Sequence, residues 1–199
     1  FTKEEGMSTR EKMNIGELYT DMGEGLPEER RAGKERVYDY NLTRPSEEEK
    51  RQRMLKDIMG SLGDNGWIEP PLRVAYGTHI HIGNNFYANF NLTVVDDATV
   101  TIGDNVMIAP NVTLATAGHP IDPEIRATGQ QFSLPIVIED NVWLGTGVMV
   151  NPGVTIGRNS VIGAGSVVTK SIPAGVVAAG VPCRVIRPIT AADRETFTK

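Results

Sequence analysis

The sequence predicts a mainly β protein, a parallel β-helix of six-residue repeats that follows an α-helical segment. Two observations lead to this prediction. In residues 67–188 an aliphatic side chain recurs at every sixth position, and Gly or Asn stands where the chain would turn sharply. Residues 1–66 are instead highly charged and carry apolar residues at helical spacing.

The 199 residues suit one domain with a small appendage. We predict a helical segment at 1–66, a β-helix at 67–188 with a projecting loop at 115–135, and a tail at 189–199. The net charge of -5 argues against a nucleic-acid partner. The single cysteine, Cys183, excludes an intramolecular disulfide, and no apolar run is long enough to cross a membrane. We therefore expect a cytoplasmic protein with no membrane partner.

The chain begins with Phe1, and this leaves two interpretations of residues 1–6 open. They are either native or were left in front of a natural start at Met7. Three helix starts follow: a capping box from Ser8 to Glu11, Pro27 with two glutamates after it, and Ser46 with three. After the third start, apolar residues follow at helical spacing, and either Gly60 or Gly63 can end the helix: Met54, Leu55, Ile58, Met59 and Leu62.

The repeat is clearest in the second half of the chain. Steps of six residues from Ile138 reach Leu144, Val150, Ile156, Ile162 and Val168. Four residues after each of these comes a small or β-branched residue: Val142, Val148, Val154, Ser160, Ser166 and Ile172. Three such units close a triangular coil of about 18 residues, and the next coil stacks on it roughly 4.8 Å away. Residues 67–188 hold about six coils.

The repeat is interrupted once, and the interruption is where we expect function. It runs through Ile102, Ile108 and Leu114, stops, and resumes in phase at Ile138. The residues between form a polar loop with three prolines, in which His119 stands between Gly118 and Pro120. A neutral imidazole can take a proton from an alcohol, which makes His119 a candidate general base. A solvent-exposed loop histidine is the alternative.

Several segments resemble one family of enzymes. The segments are Asn85-Phe86-Tyr87-Ala88-Asn89-Phe90-Asn91, Gly118-His119-Pro120, Tyr19-Thr20-Asp21-Met22 and the stretch from Ala178 to Arg187. They are similar to those of the hexapeptide-repeat O-acetyltransferases that act on galactosides, maltose and nodulation factors. The resemblance implies a left-handed β-helix, acetyl-CoA as co-substrate, and direct transfer of the acetyl group to a sugar hydroxyl with no metal. It also implies a homotrimer with active sites between subunits.

The resemblance also implies roles for single residues. His119 would be the general base, Asp21, Asn89 and Asp97 would contact the acceptor, and Tyr87 would order the acceptor or the tetrahedral intermediate. The acetyl-CoA site would be formed by Thr146, Ala164, Thr169, Lys170, Arg184 and Arg187. Ala75 stands where several relatives have Ser, and this departure leaves the exact acceptor open.

Four alternatives stay open at this stage. His79, His81 and His119 could bind zinc, as in a γ-type carbonic anhydrase, if they converged. The β-helix could be a non-catalytic scaffold, or the acceptor could be serine or a xenobiotic. Without the resemblance, Asp96 and Asp97 would be interpreted as a solvated turn, and Lys170 and the arginines as solvated surface. For Cys183 we expect a packing role.

Overall fold

A computed structural model describes residues 6–195 of the chain. The open question about the native start therefore lies almost wholly outside the described residues. The helices are α1 (Thr9–Lys12), α2 (Leu26–Asn41), α3 (Glu48–Ile58), α4 (Pro123–Ala127) and α5 (Ala192–Glu195). In residues 6–195 no helix is long and apolar enough to cross a bilayer.

The helix starts follow from local chemistry. Ser8 and Glu11 form the predicted capping box, in which each side chain bonds to the backbone of the other residue. Pro27 occupies the first turn of α2, where its missing N–H costs nothing. Helix α3 begins at Glu48, two residues after Ser46, and the preceding Glu47 side chain accepts from the backbone N–H of Arg44.

The strands are short, and most of them form three largely parallel sheets. In chain order they are β1 (Ser61–Leu62), β2 (Trp67–Ile68), β3 (Leu72–Val74), β4 (Ile80–Ile82), β5 (Tyr87–Ala88), β6 (Leu92–Val95), β7 (Val100–Ile102), β8 (Met107–Ile108), β9 (Thr113–Ala115), β10 (Ala117–Gly118), β11 (Phe132–Ser133), β12 (Ile136–Ile138), β13 (Trp143–Leu144), β14 (Met149–Val150), β15 (Thr155–Ile156), β16 (Val161–Ile162), β17 (Val167–Val168), β18 (Val176–Gly180) and β19 (Cys183–Pro188).

Successive strands belong to successive sheets, so the chain winds around a three-sided parallel β-helix. The first sheet has the order β1-β4-β7-β12-β15, the second β19-β18-β16-β13-β8-β5-β2 and the third β17-β14-β9-β6-β3. Strand β19 runs antiparallel to β18, and β10 and β11 form a separate antiparallel pair outside these three sheets. The prediction of a β-helix of stacked six-residue repeats with N-terminal helices is confirmed.

The hexad positions form the core. The aliphatic residues at every sixth position from Ile138 to Val168 are at most 1% exposed. The residues four places further on, from Val142 to Ile172, are at most 6% exposed. The two serines among them hold the last coil, because Ser160 Oγ accepts from the N–H of Val176 and Ser166 Oγ from that of Gly180, both in β18. Each coil thus buries its inner residues against its neighbours.

The corners explain why Asn and Gly recur. We call the corner between the first and second sheets the first edge; its asparagines have positive φ and bond to one another through their side chains. Each Nδ2 donates to the next Oδ1 at 2.9–3.1 Å. This ladder consists of Asn65, Asn85, Asn105, Asn141 and Asn159. The second edge, between the second and third sheets, turns at Asn91, Asn111, Gly147 and Gly165.

The β-helix begins before residue 67. Helix α3 ends at Ile58, and Ser61 and Leu62 already pair with His81 and Ile82 of β4. Leu62 therefore belongs to a strand, and of the two predicted helix ends the structure agrees with Gly60. The cause is the close passage of the chain at Gly60, where an added Cβ would lie 2.2 Å from the carbonyl oxygen of Thr78.

Candidate active site

His119 lies directly after β10, at the third edge, which we define as the corner between the third and first sheets. Its Nδ1 is 3.2 Å from the carbonyl oxygen of Gln130. A carbonyl can only accept, so Nδ1 carries the hydrogen and Nε2 of the neutral ring is free to take a proton. The side chain is exposed in the single chain. The contact with Gln130 supplies the orienting group that the sequence did not reveal.

The loop around His119 is an ordered structure. Strands β10 and β11 form an antiparallel hairpin, and an added Cβ at Gly118 would lie 2.7 Å from the ring of Phe132. Asp122 caps α4 by accepting from the backbone N–H groups of Glu124 and Ile125. The loop therefore holds His119 on a hydrogen-bonded platform.

The N-terminal segment extends this platform. Tyr19 and Gln131 exchange two backbone hydrogen bonds of 2.9 Å, and Gly16 N–H donates to the carbonyl of Ser133. Met13, Tyr19 and Leu26 pack with Tyr76 in a second apolar cluster at the third edge. The N-terminal segment is thus part of the site, because it holds the strand that follows the orienting carbonyl of Gln130.

Asp96 and Asp97 lie under this platform, and both are buried. Their exposed fractions are 0% and 6%, so the interpretation of them as a solvated turn is wrong. Asp96 accepts from the backbone N–H groups of Ala75, Tyr76 and Gly77 at 2.7–2.9 Å. Burial raises the pKa of Asp96 to about 6 against the opposing effect of these donors. Asp96 therefore fixes a turn of the neighbouring coil.

Asp97 belongs to a polar cluster that includes Asp21. Gln131 Nε2 donates to Asp97 Oδ1 at 2.9 Å, and Arg30 forms an ion pair of 2.7 Å with Asp21 Oδ2. Arg30 also donates to the hydroxyl of Tyr76 at 3.0 Å. Burial raises the pKa of Asp97, the donor Gln131 lowers it, and the charge of Asp21 raises it. Nothing in the sequence pattern marked Gln131 or Arg30, because neither belongs to a repeat or a motif.

A second set of predicted residues lies along the second edge. Tyr87 is in β5 and Asn89 follows it, with its Oδ1 accepting from the N–H of Phe90. Two coils further on comes Thr146, whose carbonyl accepts from Gly165 at 2.8 Å, next to Ala164. Asn89, Thr146 and Ala164 therefore follow one another along one edge of the prism.

The remaining predicted residues are divided between the third edge and the last strand. Thr169 and Lys170 follow β17 and are exposed at the third edge. Arg184 and Arg187 are exposed on β19, where Arg184 donates to the carbonyl of Cys183. Arg187 makes two hydrogen bonds of 2.9 and 2.6 Å to the Asp193 carboxylate. Cys183 itself is buried, with 3% exposure.

The predicted residues thus fall on two different edges of one chain. Asp97, His119 and Lys170 lie at the third edge, while Asn89 and Thr146 lie at the second. These edges are separated by one side of the prism, about 15–20 Å for five or six residues of a strand. Within one chain the structure does not bring the two groups together.

The three histidines do not form a common site. His79 Nδ1 bonds to the carbonyl of Asp96 at 2.7 Å, and His81 Nδ1 to Ser61 Oγ at 3.1 Å. With the Gln130 carbonyl bound to His119, each histidine has a partner of its own. Across residues 6–195 no cluster of three or more His, Cys, Asp or Glu side chains could hold a metal ion. This geometry gives no support to the zinc enzyme considered from the sequence.

Comparison with known proteins agrees with this architecture. Residues 135–170 match the family model described as bacterial transferase hexapeptide (six repeats). Residues 12–63 match the maltose acetyltransferase hexapeptide capping motif. The second match covers α2, α3 and β1, the first strand of the β-helix.

Single relatives are similar over nearly the whole chain. The galactoside O-acetyltransferase of Escherichia coli (strain K12) is 58% identical over 193 residues, 97% of this chain and 95% of the relative. A solved structure of a galactoside acetyltransferase in complex with coenzyme A has a TM-score of 0.94 at 58% identity and covers 97% of this chain and 96% of that one. A maltose O-acetyltransferase from Clostridium difficile 630 has a TM-score of 0.90 at 47% identity, with coverages of 92% and 98%.

Proposed function

The chain belongs to the family of the galactoside O-acetyltransferases, and on that premise we propose that it transfers the acetyl group of acetyl-CoA to a sugar hydroxyl. The observation that carries the proposal is the placement of His119. Its Nδ1 is engaged by the Gln130 carbonyl, and buried Asp97 lies beside the strand that follows this carbonyl. A candidate base and a hydrogen-bonding carboxylate that contact the adjacent residues Gln130 and Gln131 suit a polyol acceptor.

The chemistry is a direct transfer. His119 Nε2 removes the proton of the acceptor hydroxyl while the hydroxyl oxygen attacks the thioester carbonyl. The new ester C–O bond forms, the C–S bond breaks, and the imidazolium returns its proton to the departing thiolate of CoA. A backbone N–H stabilises the oxyanion of the tetrahedral intermediate. No covalent acetyl-enzyme is required.

Acceptor binding is assigned to Asp21, Tyr87, Asn89 and Asp97, whose carboxylate, hydroxyl and amide groups can hydrogen-bond to a polyol. Relatives 58% and 43% identical are named galactoside O-acetyltransferase, and a solved relative is named maltose O-acetyltransferase, so we propose a galactoside or a maltose-type sugar. Serine or a xenobiotic remains the alternative acceptor.

Acetyl-CoA binding is assigned to Thr146, Ala164, Thr169, Lys170 and the two arginines. The exposed guanidinium groups of Arg184 and Arg187 fit the phosphates of the nucleotide. Arg187 is engaged by Asp193 in the free chain, so phosphate binding would exchange one anionic partner for another. We keep the cytoplasm as the proposed location, because the single buried thiol suits a reducing compartment.

We further propose a homotrimer whose active sites form between subunits. Its support is the division of the assigned residues between two edges of the prism. The outer face of the second sheet also exposes apolar side chains in register, with Met107 56% and Trp143 52% exposed beside Tyr87. Exposed apolar surface of this kind marks an interface. The third edge of one subunit would then meet the second edge of its neighbour.

The reaction is tested by thiol release from acetyl-CoA with glucose, maltose, galactosides, chitooligosaccharides, serine and chloramphenicol. We expect turnover with galactosides or maltose-type sugars. Turnover confined to serine or chloramphenicol would contradict the sugar acceptor. Silence with every acceptor, together with no binding of CoA, would contradict the enzyme activity and favour a scaffold.

Replacing Arg184 by Ala should raise the KM for acetyl-CoA about tenfold, since a charged hydrogen bond to phosphate is lost, and should leave kcat within about threefold. The measurement is initial-rate kinetics with acetyl-CoA and with its dephospho form. A much smaller effect with the dephospho form places Arg184 at the 3′-phosphate. The control is Arg158→Ala, which removes an exposed arginine at the first edge beside Glu139. Equal KM values in the two variants would contradict the assignment.

A further inference from the structure

Asp97 depends on a single residue for its hydrogen bonding. Among the residues that the structure describes, the Nε2 of Gln131 is the one donor to the Asp97 carboxylate, and it reaches Oδ1 at 2.9 Å. Asp97 Oδ2 accepts no hydrogen bond within residues 6–195. Asp97 is 6% exposed, so its carboxylate has lost most of its hydrogen bonds to water. Without the Gln131 donor, no hydrogen bond from residues 6–195 would replace them.

The orientation of the Gln131 amide is fixed by its partners. The carboxylate of Asp97 can only accept, so it must face the NH₂ group and not the oxygen of the amide. The same Nε2 lies 2.9 Å from the hydroxyl of Tyr19. Tyr19 in turn is 3.0 Å from Ser133 Oγ, which donates to the carbonyl of Met13.

The direction of this chain is therefore determined at both ends. The Met13 carbonyl can only accept, so Ser133 donates to it and accepts from Tyr19, and Tyr19 accepts from Gln131. Both N–H bonds of the amide are then used, one on Tyr19 and one on Asp97. The backbone of Gln131 is also held, by two hydrogen bonds of 2.9 Å to Tyr19.

We propose that Gln131 is a positioning residue that determines acceptor binding by holding Asp97 Oδ1, so that Oδ2 remains to accept from an acceptor hydroxyl. This inference rests on the proposed function, because it takes Asp97 as an acceptor-binding residue. Gln131 acts through Asp97 and not on the reacting atoms. The Gln131 amide is neutral, so it adds no charge to a cluster in which Arg30 already forms an ion pair of 2.7 Å with Asp21.

Two variants separate hydrogen bonding from packing. Gln131→Leu removes both donors at similar volume, and Gln131→Glu keeps the shape but sets a second carboxylate against Asp97. We expect the KM for the sugar acceptor to rise about tenfold or more in both, with kcat and the KM for acetyl-CoA within about threefold. A role in packing alone predicts wild-type kinetics for Gln131→Glu.

A double-mutant cycle with Asp97→Asn tests the pathway of the effect. If Gln131 acts through Asp97, its replacement should change the acceptor KM much less in the Asp97→Asn background than in the wild type. The matched control is Gln52→Leu, which removes an amide that donates to the Gly66 carbonyl far from the loop. This control should lower stability without changing the acceptor KM.

Isothermal titration of the wild type and the Gln131 variants with sugar gives the same comparison without turnover. A wild type that binds sugar but does not acetylate it, with binding weakened in both variants, would overturn the proposed function and keep this inference. Unchanged acceptor KM and affinity in both variants would overturn the inference while the activity stands. Full additivity in the cycle would also overturn it, and a wild type that neither binds nor acetylates any sugar would overturn both.

Discussion

Replacing His119 by Ala should lower kcat by at least about 100-fold, because general-base catalysis by a positioned side chain contributes a factor of about 10²–10⁴. The KM for acetyl-CoA should stay within about twofold of the wild-type value, since the imidazole acts on the acceptor hydroxyl and does not contact the nucleotide. The measurement is thiol release under saturating acetyl-CoA and acceptor. The Gln130 carbonyl accepts a hydrogen bond from Nδ1 of His119. It thereby fixes the tautomer in which Nε2 is unprotonated and can act as the base.

The matched control for this prediction is His81→Ala. His81 is exposed on β4, and its Nδ1 bonds to Ser61 Oγ, so its loss removes a histidine and a hydrogen bond but no candidate base. This variant should retain wild-type kcat. A His119→Ala enzyme with more than about a third of the wild-type kcat would contradict the assignment of the base, whatever its effect on KM.

Sequence periodicity was sufficient to predict the β-helix because every coil obeys the same local rule. An inward aliphatic residue such as Ile156 and a corner residue with positive φ, such as Asn105 or Gly147, recur in each turn. Of the two helix ends that the sequence left open, Gly60 and Gly63, the structure agrees with Gly60, so Leu62 does not belong to the helix. The helical spacing of apolar residues continues past Ile58, but from Ser61 the chain forms a strand that pairs with β4.

The candidate site was predictable only in part. The break in the repeat drew attention to His119, and the family resemblance added the other assigned residues. Gln130 and Gln131 could not be found in this way, because their roles depend on a backbone carbonyl and on a contact with Tyr19, 112 positions away in the chain. The hydrogen bond that buried Asp97 accepts likewise depends on Gln131 and on its pairing with Tyr19, which no local pattern around Asp97 encodes.

The division of the site between two edges leads to the second large effect. If His119 and Asn89 of the same site come from different subunits, two inactive variants should restore activity when they are assembled together. In a mixture of His119→Ala and Asn89→Ala chains, a site is intact when one subunit supplies His119 and its neighbour supplies Asn89. Random assembly at equal amounts makes about one site in four intact, so about a quarter of the wild-type activity should return.

The experiment uses differently tagged chains that are unfolded and refolded together, followed by isolation of the mixed trimers and a thiol-release assay. Light scattering gives the mass of the assembly, and a monomer at assay concentration would already contradict the proposal. Each variant refolded alone supplies the baseline. Every mixed trimer has one intact site of three, so recovery to about a third of the wild-type activity in the isolated mixed trimers, against parents that each retain a few per cent or less, would place the site between subunits.

The decisive control is a mixture of His119→Ala with Asp97→Ala. Both residues lie at the third edge of one chain, next to Gln131 and its partners. Every subunit in this mixture lacks one of the two, so each site receives a defective third edge from one subunit. No recovery is expected here, although the mixing and the number of altered chains are the same. Equal recovery in both mixtures would contradict the division between edges. Absence of recovery in both would place Asn89 and His119 in the same subunit's site, and the exposed face around Trp143 would then need another explanation.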